Sequence, residues 1–228
     1  MTTRTRLGLM GGTFDPIHRG HLEAAAAAQA RLGLDRVWLV PSHVPPHRPV
    51  PPVASAFHRF AMAALAALDE DRLEVSDLEL RASGPSYTAH TLAALHASGY
   101  APWQLFFIIG VDAFAEIATW FDYPRVLDAG HFVVVSRPGH GHDAVEGRAP
   151  EVAARVIDLR GGRTAPASFT RPAVIFIDAA TPDVSSTALR ARLAAGGAVD
   201  DLVPAAVARH IRRHRLYQPA ATAIPLHE

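Results

Sequence analysis

Short, uninterrupted apolar runs alternate along this chain with longer segments of helical composition. Because a strand with one solvent-facing side alternates apolar and polar residues, uninterrupted runs predict strands that are buried on both faces. These runs cover Leu7–Met10, Arg36–Val40, Leu105–Ile109, Phe132–Val135 and Val174–Ile177. Helices are predicted over Gly20–Leu32, Ser55–Leu68, Thr88–Ala97, Ser186–Ala195 and Pro204–Arg213. The alternation predicts an α/β fold, a doubly wound parallel sheet with a small helical part at its C-terminal end.

Two segments give weaker patterns. Leu73–Leu80 alternates apolar and polar residues, which predicts a strand near a sheet edge. Residues 137–172 are rich in Gly, Pro and Arg and contain one weakly helical stretch, Glu151–Leu159, so we interpret them as a surface excursion. We therefore predict a single domain over residues 1–219 that includes this excursion, followed by a loose tail at 220–228.

The composition excludes several kinds of chemistry. The chain has 22 basic and 22 acidic residues, so its net charge gives no reason to expect a nucleic-acid or membrane partner. It contains no cysteine, and all its basic residues are arginines. Thiol catalysis, Schiff-base chemistry, lysyl-adenylate intermediates and a P-loop lysine are therefore excluded. No apolar stretch approaches the roughly 18 residues of a membrane span, and we expect a cytoplasmic protein.

The strongest chemical signal is the segment GGTFDPIHRGH, Gly11–His21, directly after the first predicted strand. Its glycine pair allows the backbone to approach a ligand closely, and Asp15–Pro16 is suited to opening a helix. His18 and His21 are three residues apart and share one face at that helix start, where free N–H groups attract phosphate. A metal pair or incidental histidines remain alternatives, but the strand–glycine–helix context favours phosphate binding.

This segment resembles the signature of the HxGH nucleotidyltransferase superfamily, whose members transfer adenylate or cytidylate to phosphate-bearing substrates and release pyrophosphate. The resemblance implies a Rossmann-like nucleotidyltransferase fold. It also implies that His18 and His21 contact the triphosphate and stabilise the transition state without a covalent intermediate.

A second segment, Val184–Arg190 (VSSTALR), places hydroxyl groups at a helix start and an arginine one turn further along. Hydroxyls, free N–H groups and a guanidinium can converge there on one phosphate, although a capped helix with an arginine is common in any protein. The segment resembles the ISSTxIR motif of the same superfamily, which holds the β- and γ-phosphates of ATP.

A third set of residues resembles one branch, the bacterial nicotinate mononucleotide adenylyltransferases. Ser86–Leu92 resembles the SYTxxTL segment of this family, and Gly110–Trp120 resembles its GxD…W segment. From the residues alone, Asp112 suits ribose hydroxyls or a helix cap, and Trp120 suits ring stacking or core packing. The helix that Thr88 opens suits an anionic carboxylate, which favours nicotinate over nicotinamide. The resemblance extends from about Leu7 to Tyr217.

The resemblance implies that ATP and nicotinate mononucleotide are the substrates, with Mg²⁺ carried by ATP and no dedicated protein metal site. The implied ATP-binding residues are Gly11, Gly12, Thr13, Phe14, His18, His21, Arg48, Gly110, Asp112, Ser186, Thr187 and Arg190. Those implied to act in catalysis are His18, His21 and Arg190. Those implied for nicotinate mononucleotide are Tyr87, Thr88, Trp120 and Phe121.

Two positions depart from the family pattern, and three other functions remain open. Arg48 stands where relatives usually have lysine, and His90 stands where an aspartate is frequent. The enzyme could use nicotinamide mononucleotide or both mononucleotides. It could also transfer a nucleotidyl group to phosphopantetheine or a polyol phosphate, against which the third set of residues speaks. A nucleotide-binding sensor without catalysis is the alternative from another class. The oligomeric state does not follow from the sequence.

Overall fold

The computed structural model describes residues 5–46, 50–136 and 150–219. Within them, seven parallel strands form one sheet in the order β3-β2-β1-β4-β5-β7-β6. The strands are β1 (Leu7–Gly12), β2 (Arg36–Pro41), β3 (Leu73–Val75), β4 (Leu105–Gly110), β5 (His131–Ser136), β6 (Val156–Asp158) and β7 (Val174–Asp178). The helices are α1 (Arg19–Leu32), α2 (Ala56–Ala67), α3 (Thr88–Ala97), α4 (Val111–Phe114), α5 (Pro150–Ala153), α6 (Ser186–Ala194) and α7 (Ala205–Arg213). Short 3₁₀ turns lie at Pro102–Gln104, Ile117–Thr119, Arg125–Asp128 and Arg160–Gly162.

Helices cover both faces of the sheet, which confirms the predicted doubly wound α/β fold. Buried side chains from α1, α2, α6 and α7 pack with one face, and those from α3, α4 and α5 pack with the other. Within β4, Phe106 and Ile108 point to the first face, and Phe107 and Ile109 to the second. Successive strand residues point to opposite faces, so each central strand needs an uninterrupted apolar run.

Two predicted elements are wrong in part. The predicted strand Leu73–Leu80 ends at Val75, although β3 does lie at the sheet edge. Beyond it, the Ser76 hydroxyl accepts a hydrogen bond from the Leu78 N–H at 3.3 Å, and Arg81 Nε donates to an Asp77 carboxylate oxygen at 2.7 Å. Such local bonds from Ser and Asp side chains compete with strand pairing, and the chain turns here.

The second correction concerns the predicted helical stretch Glu151–Leu159 and the surface excursion that contains it. Only Pro150–Ala153 is helical, and Val156–Asp158 forms the edge strand β6 beside β7. Leu159 and Phe169 are buried in the core. The β-branched Val156 and Ile157 suit a strand, and pairing with β7 overrides the weak local helical pattern.

The remaining predictions concern the domain boundary, the tail and the location of the protein. Residues 137–149 of the predicted excursion and the predicted tail at 220–228 lie outside the described residues, and the single domain over 1–219 stays a prediction. None of the described helices is long and apolar enough to cross a membrane. The expected cytoplasmic location likewise stays a prediction.

Candidate active site

A cavity of about 750 Å³ opens at the carboxyl ends of the central strands. It lies where β1 has β2 on one side and β4 on the other, the point at which the chain reverses its direction across the sheet. Ligands of doubly wound folds bind at this reversal point because the loops there diverge and leave a crevice. The strand ends contribute Gly11, Gly12, Gly110 and Ser136 to its wall.

The glycine pair after β1 is required by packing as well as by ligand access. Phe14 follows it with φ of 50°, and its side chain is buried in the core. A Cβ at Gly12 would lie 2.9 Å from the Phe14 ring, closer than side chains tolerate. Gly11, Gly12, Thr13 and Phe14 all line the cavity, where the sequence predicted ATP-binding residues.

His18 and His21 lie together in the wall of the cavity, as their spacing predicted. Their rings stack with centroids 3.7 Å apart, and the His18 N–H donates to His21 Nδ1 at 3.2 Å. Because that nitrogen accepts a hydrogen bond, a neutral His21 ring carries its proton on Nε2. His18 is buried, and desolvation lowers its pKa to about 4. His18 is therefore neutral at pH 7 and offers a dipole rather than a charge.

The prediction that Asp15–Pro16 opens α1 is wrong. The helix begins at Arg19 with His18 as its N-cap, three residues later. The buried Asp15 carboxylate instead accepts hydrogen bonds from the Val53 and Ala54 N–H groups at 2.8 and 3.0 Å, before α2. It also accepts one from the Tyr217 hydroxyl at 2.8 Å, across 202 residues of chain. Because its carboxylate accepts hydrogen bonds from remote partners, Asp15 ties the signature segment, Gly11–His21, to the C-terminal part of the chain.

The start of α6 docks onto the signature segment. Ser185 caps the helix by accepting from the Ala188 N–H at 3.1 Å, and the Ser186 hydroxyl donates to the Pro16 carbonyl at 2.9 Å. Ser186 lines the cavity. Arg190 donates to the Asp15 carbonyl at 2.7 Å and to the Thr187 hydroxyl at 3.2 Å. The two predicted phosphate motifs thus meet; Ser186 forms part of the cavity wall, and Thr187 and Arg190 lie beside it on the same helix.

The cavity also has an aromatic wall, on the side of the sheet where α3 packs, whereas the histidine pair lies at the start of α1 on the other side. Tyr87 and Thr88, at the start of α3, line the cavity together with Trp120 and Phe121. The Tyr87 and Phe121 rings stack with centroids 4.6 Å apart and planes 25° apart. Trp120 also packs edge-on against Phe107 at 6.1 Å, so part of its ring serves the core. The structure therefore brings all four residues predicted for the mononucleotide into one place.

Asp112 lies in the first turn of α4, directly after Gly110 ends β4, and both line the cavity. An acid that follows a strand end can accept hydrogen bonds from ribose hydroxyls in doubly wound folds. Arg48 lies outside the described residues. Within the ranges that the structure covers, no group of three or more His, Asp or Glu side chains could hold a metal ion.

Three residues of the site were missed by the sequence analysis. Arg59 is buried and donates to the Thr13 carbonyl at 2.7 Å, which supports the signature segment from α2. Tyr217 holds Asp15, as described above. Glu79 lines the cavity and is buried, although it lies in the turn after β3. Of these three, only Arg59 could have been found from the sequence. It is an arginine within the apolar helix that Ser55 opens, and a buried charge in such a helix needs partners.

Comparison with known proteins agrees with this geometry. The cytidylyltransferase-like family profile matches residues 9–192, which include both phosphate motifs and most of the sheet. The chain therefore belongs to the cytidylyltransferase-like proteins, a class of nucleotidyltransferases.

Within this class, the chain belongs to the nicotinate-nucleotide adenylyltransferase family. It is 38% identical to a probable nicotinate-nucleotide adenylyltransferase of Desulfatibacillum aliphaticivorans, over 93% of this chain and 99% of that protein. It is 40% identical to the corresponding probable enzyme of Symbiobacterium thermophilum, over 93% and 95%. The fold is similar to that of Plasmodium falciparum nicotinic acid mononucleotide adenylyltransferase complexed with NaAD, with a TM-score of 0.65, 15% identity, and coverage of 93% and 97%.

Proposed function

We propose that this protein transfers adenylate from ATP to nicotinate mononucleotide, which yields deamido-NAD and pyrophosphate in NAD biosynthesis. One observation carries the proposal: a single cavity has the histidine pair on one side and the aromatic wall with the start of α3 on the other. The first side suits a triphosphate and the second suits a pyridine ring with an anionic substituent. The two substrates would meet between these sides.

The reaction needs no protein nucleophile, because the phosphate of the mononucleotide attacks the α-phosphorus of ATP in line and pyrophosphate leaves. The protein aligns two anions and stabilises the charge that develops between them. The Nε2–H of His21 donates to the triphosphate from a ring whose other nitrogen is already held by the His18 N–H. Arg190 uses some of its five N–H donors inside the protein, which leaves others for phosphate oxygens.

The substrate is MgATP in this proposal. Mg²⁺ prefers oxygen ligands and keeps several waters, so the triphosphate and water can supply its coordination. Asp112 is assigned to the ribose of ATP, Trp120 to the pyridine ring, and the backbone around Thr88 and Phe121 to the carboxylate. Arg48 is assigned to a phosphate.

The test is pyrophosphate release from MgATP with nicotinate mononucleotide, nicotinamide mononucleotide or phosphopantetheine as the acceptor. We expect release with nicotinate mononucleotide at a rate well above the other two. A faster rate with nicotinamide mononucleotide would make that compound the preferred acceptor. Binding of ATP without pyrophosphate release for any acceptor would favour a nucleotide-binding sensor.

The role of the histidine pair is tested by His18→Ala. We expect turnover to fall by about 10²-fold or more, as for removal of one donor to a developing charge. His214→Ala, a change at an exposed histidine outside the cavity lining, is the matched control. Turnover of His18→Ala close to that of the control would contradict the assigned role.

A further inference from the structure

A buried acid, Glu79, stands on the aromatic side of the cavity with no role in the chemistry described above. Its side chain is 8% exposed and forms part of the cavity wall. The Thr91 hydroxyl of α3 donates to its Oε1 at 2.6 Å, and the Ser86 hydroxyl lies near enough to the carboxylate to favour its charged form. Within the described ranges, no arginine or histidine forms an ion pair with it.

Glu79 is one member of a chain of hydrogen bonds that joins three segments. The Ser86 oxygen accepts from the His43 N–H at 2.8 Å, which leaves the Ser86 hydroxyl proton free to reach Glu79. The Ser86 N–H donates to the Val44 carbonyl at 2.9 Å, and Val44 pairs with Pro85 in a parallel bridge. The carboxylate thus links the loop after β2, the segment before α3, and α3 itself through Thr91.

The cost of burying the Glu79 carboxylate indicates that its role is to hold hydrogen-bond donors in place. Burial raises the pKa of Glu79, and the hydrogen bonds from Thr91 and Ser86 oppose that rise without cancelling it. A buried carboxylate without a charged partner is costly, and an apolar side chain would fill the same space at lower cost. An ionised carboxylate, however, accepts several hydrogen bonds at once and so can fix two hydroxyl groups from different segments.

We propose that Glu79 is a positioning residue for the mononucleotide: it sets the start of α3 and the loop after β2 at the spacing that the pyridine end of the substrate requires. Thr88 lies two residues after Ser86, so the carboxylate controls where the Thr88 backbone N–H lies, whereas the Tyr87 N–H already donates to the Pro85 carbonyl at 2.9 Å. Pro45 and Pro46, which line the cavity, directly follow Val44 and are placed by the same network. The kinetic part of this proposal rests on the proposed function, and the structural part does not.

The kinetic test compares Glu79→Ala and Glu79→Gln with Asp77→Asn, a change of a half-exposed acid in the same turn. We expect Glu79→Ala to raise the KM for nicotinate mononucleotide by about tenfold or more while the KM for ATP stays within about twofold. Glu79→Gln keeps the shape and one acceptor, so it should restore part of the loss. Asp77→Asn should match the wild type. An unchanged KM for the mononucleotide, or equal rises for both substrates, would overturn the proposal.

Thr91→Val keeps the volume of Thr91 and removes only its hydroxyl donor, so it provides a test if Glu79→Ala does not fold. We expect about a threefold rise in the same KM alone, and no rise would overturn the proposal.

Amide hydrogen exchange separates this proposal from the proposed function, because it needs no activity. Exchange at His43 and Ser86 should be faster in Glu79→Ala, or in Thr91→Val, than in Asp77→Asn. Unchanged exchange there would overturn the positioning role even in an active enzyme. Faster exchange in a protein that releases no pyrophosphate would instead support the positioning role and refute the proposed reaction.

Discussion

Acid should destabilise this protein through His18, and the structure gives the size of the effect. The His18 side chain is 7% exposed, and its Nδ1 is buried with no hydrogen-bond partner among the described residues. Its ring also stacks on His21, so a charged His18 would have neither water nor an acceptor at that nitrogen. Desolvation accordingly lowers its pKa from 6.5 to about 4 in the folded state.

The direction of the effect follows from proton binding. Between pH 6.5 and about 4 the unfolded chain binds a proton at His18 and the folded chain does not, so stability falls as the pH falls through this window. The two pKa values give a loss of about 2 kcal/mol between about pH 7.5 and about pH 5. The contribution of the neutral ring is fully present above pH 6.5, the unfolded pKa.

The assay is urea unfolding of the wild type and His18→Asn at both pH values. The variant lacks the titrating group, so its stability should fall by about 2 kcal/mol less than that of the wild type over this range. His131, whose pKa burial also lowers to about 4, titrates in both proteins and cancels in the comparison. His90→Asn, at an exposed histidine, controls for the substitution. Equal losses in the wild type and His18→Asn, within about 0.5 kcal/mol, would refute the reasoning.

Three further predictions concern neighbouring contacts. A Cβ at Gly20 would lie 3.1 Å from His18 Nδ1, so Gly20→Ala should displace the His18 ring. We expect kcat to fall by about tenfold with little change in the unfolding midpoint, and an unchanged kcat would contradict this. Tyr217→Phe removes a buried donor to Asp15 and should lower the free energy of unfolding by about 1–3 kcal/mol; a urea titration showing no loss would argue against that bond. Trp120→Ala should raise the KM for nicotinate mononucleotide by about tenfold; equal effects on ATP would indicate a packing role alone.

Much of the sheet could be predicted because each central strand has a local sequence pattern that identifies it. β4 and β5 are buried on both faces, so each needs a continuous apolar run, and each run was predicted within one residue of its observed ends. The edge elements were less accurate. β6 has three residues, pairs with β7, and lies in a stretch that was predicted to be helical. Short edge elements depend on neighbours that local patterns do not reveal.

The residues of the candidate site divide in the same way. Gly11–Gly12, His18 and His21 are close in sequence, and their spacing on a strand end and a helix start carries the information. Thr88 and Trp120 were assigned by resemblance, and the fold brings them to the same cavity.

The sequence by itself determined the fold class and predicted which segments bind phosphate, because both depend on the spacing of residues over short segments. Only the tertiary structure decided what supports those segments. Asp15 suits a helix start by its type, yet its carboxylate binds Tyr217 and the backbone before α2. In the sequence, Glu79 resembles any acid in a surface turn, but in the structure Thr91 of α3 donates a hydrogen bond to it. Which remote groups a buried carboxylate meets depends on the path of the whole chain, and no local pattern encodes that path.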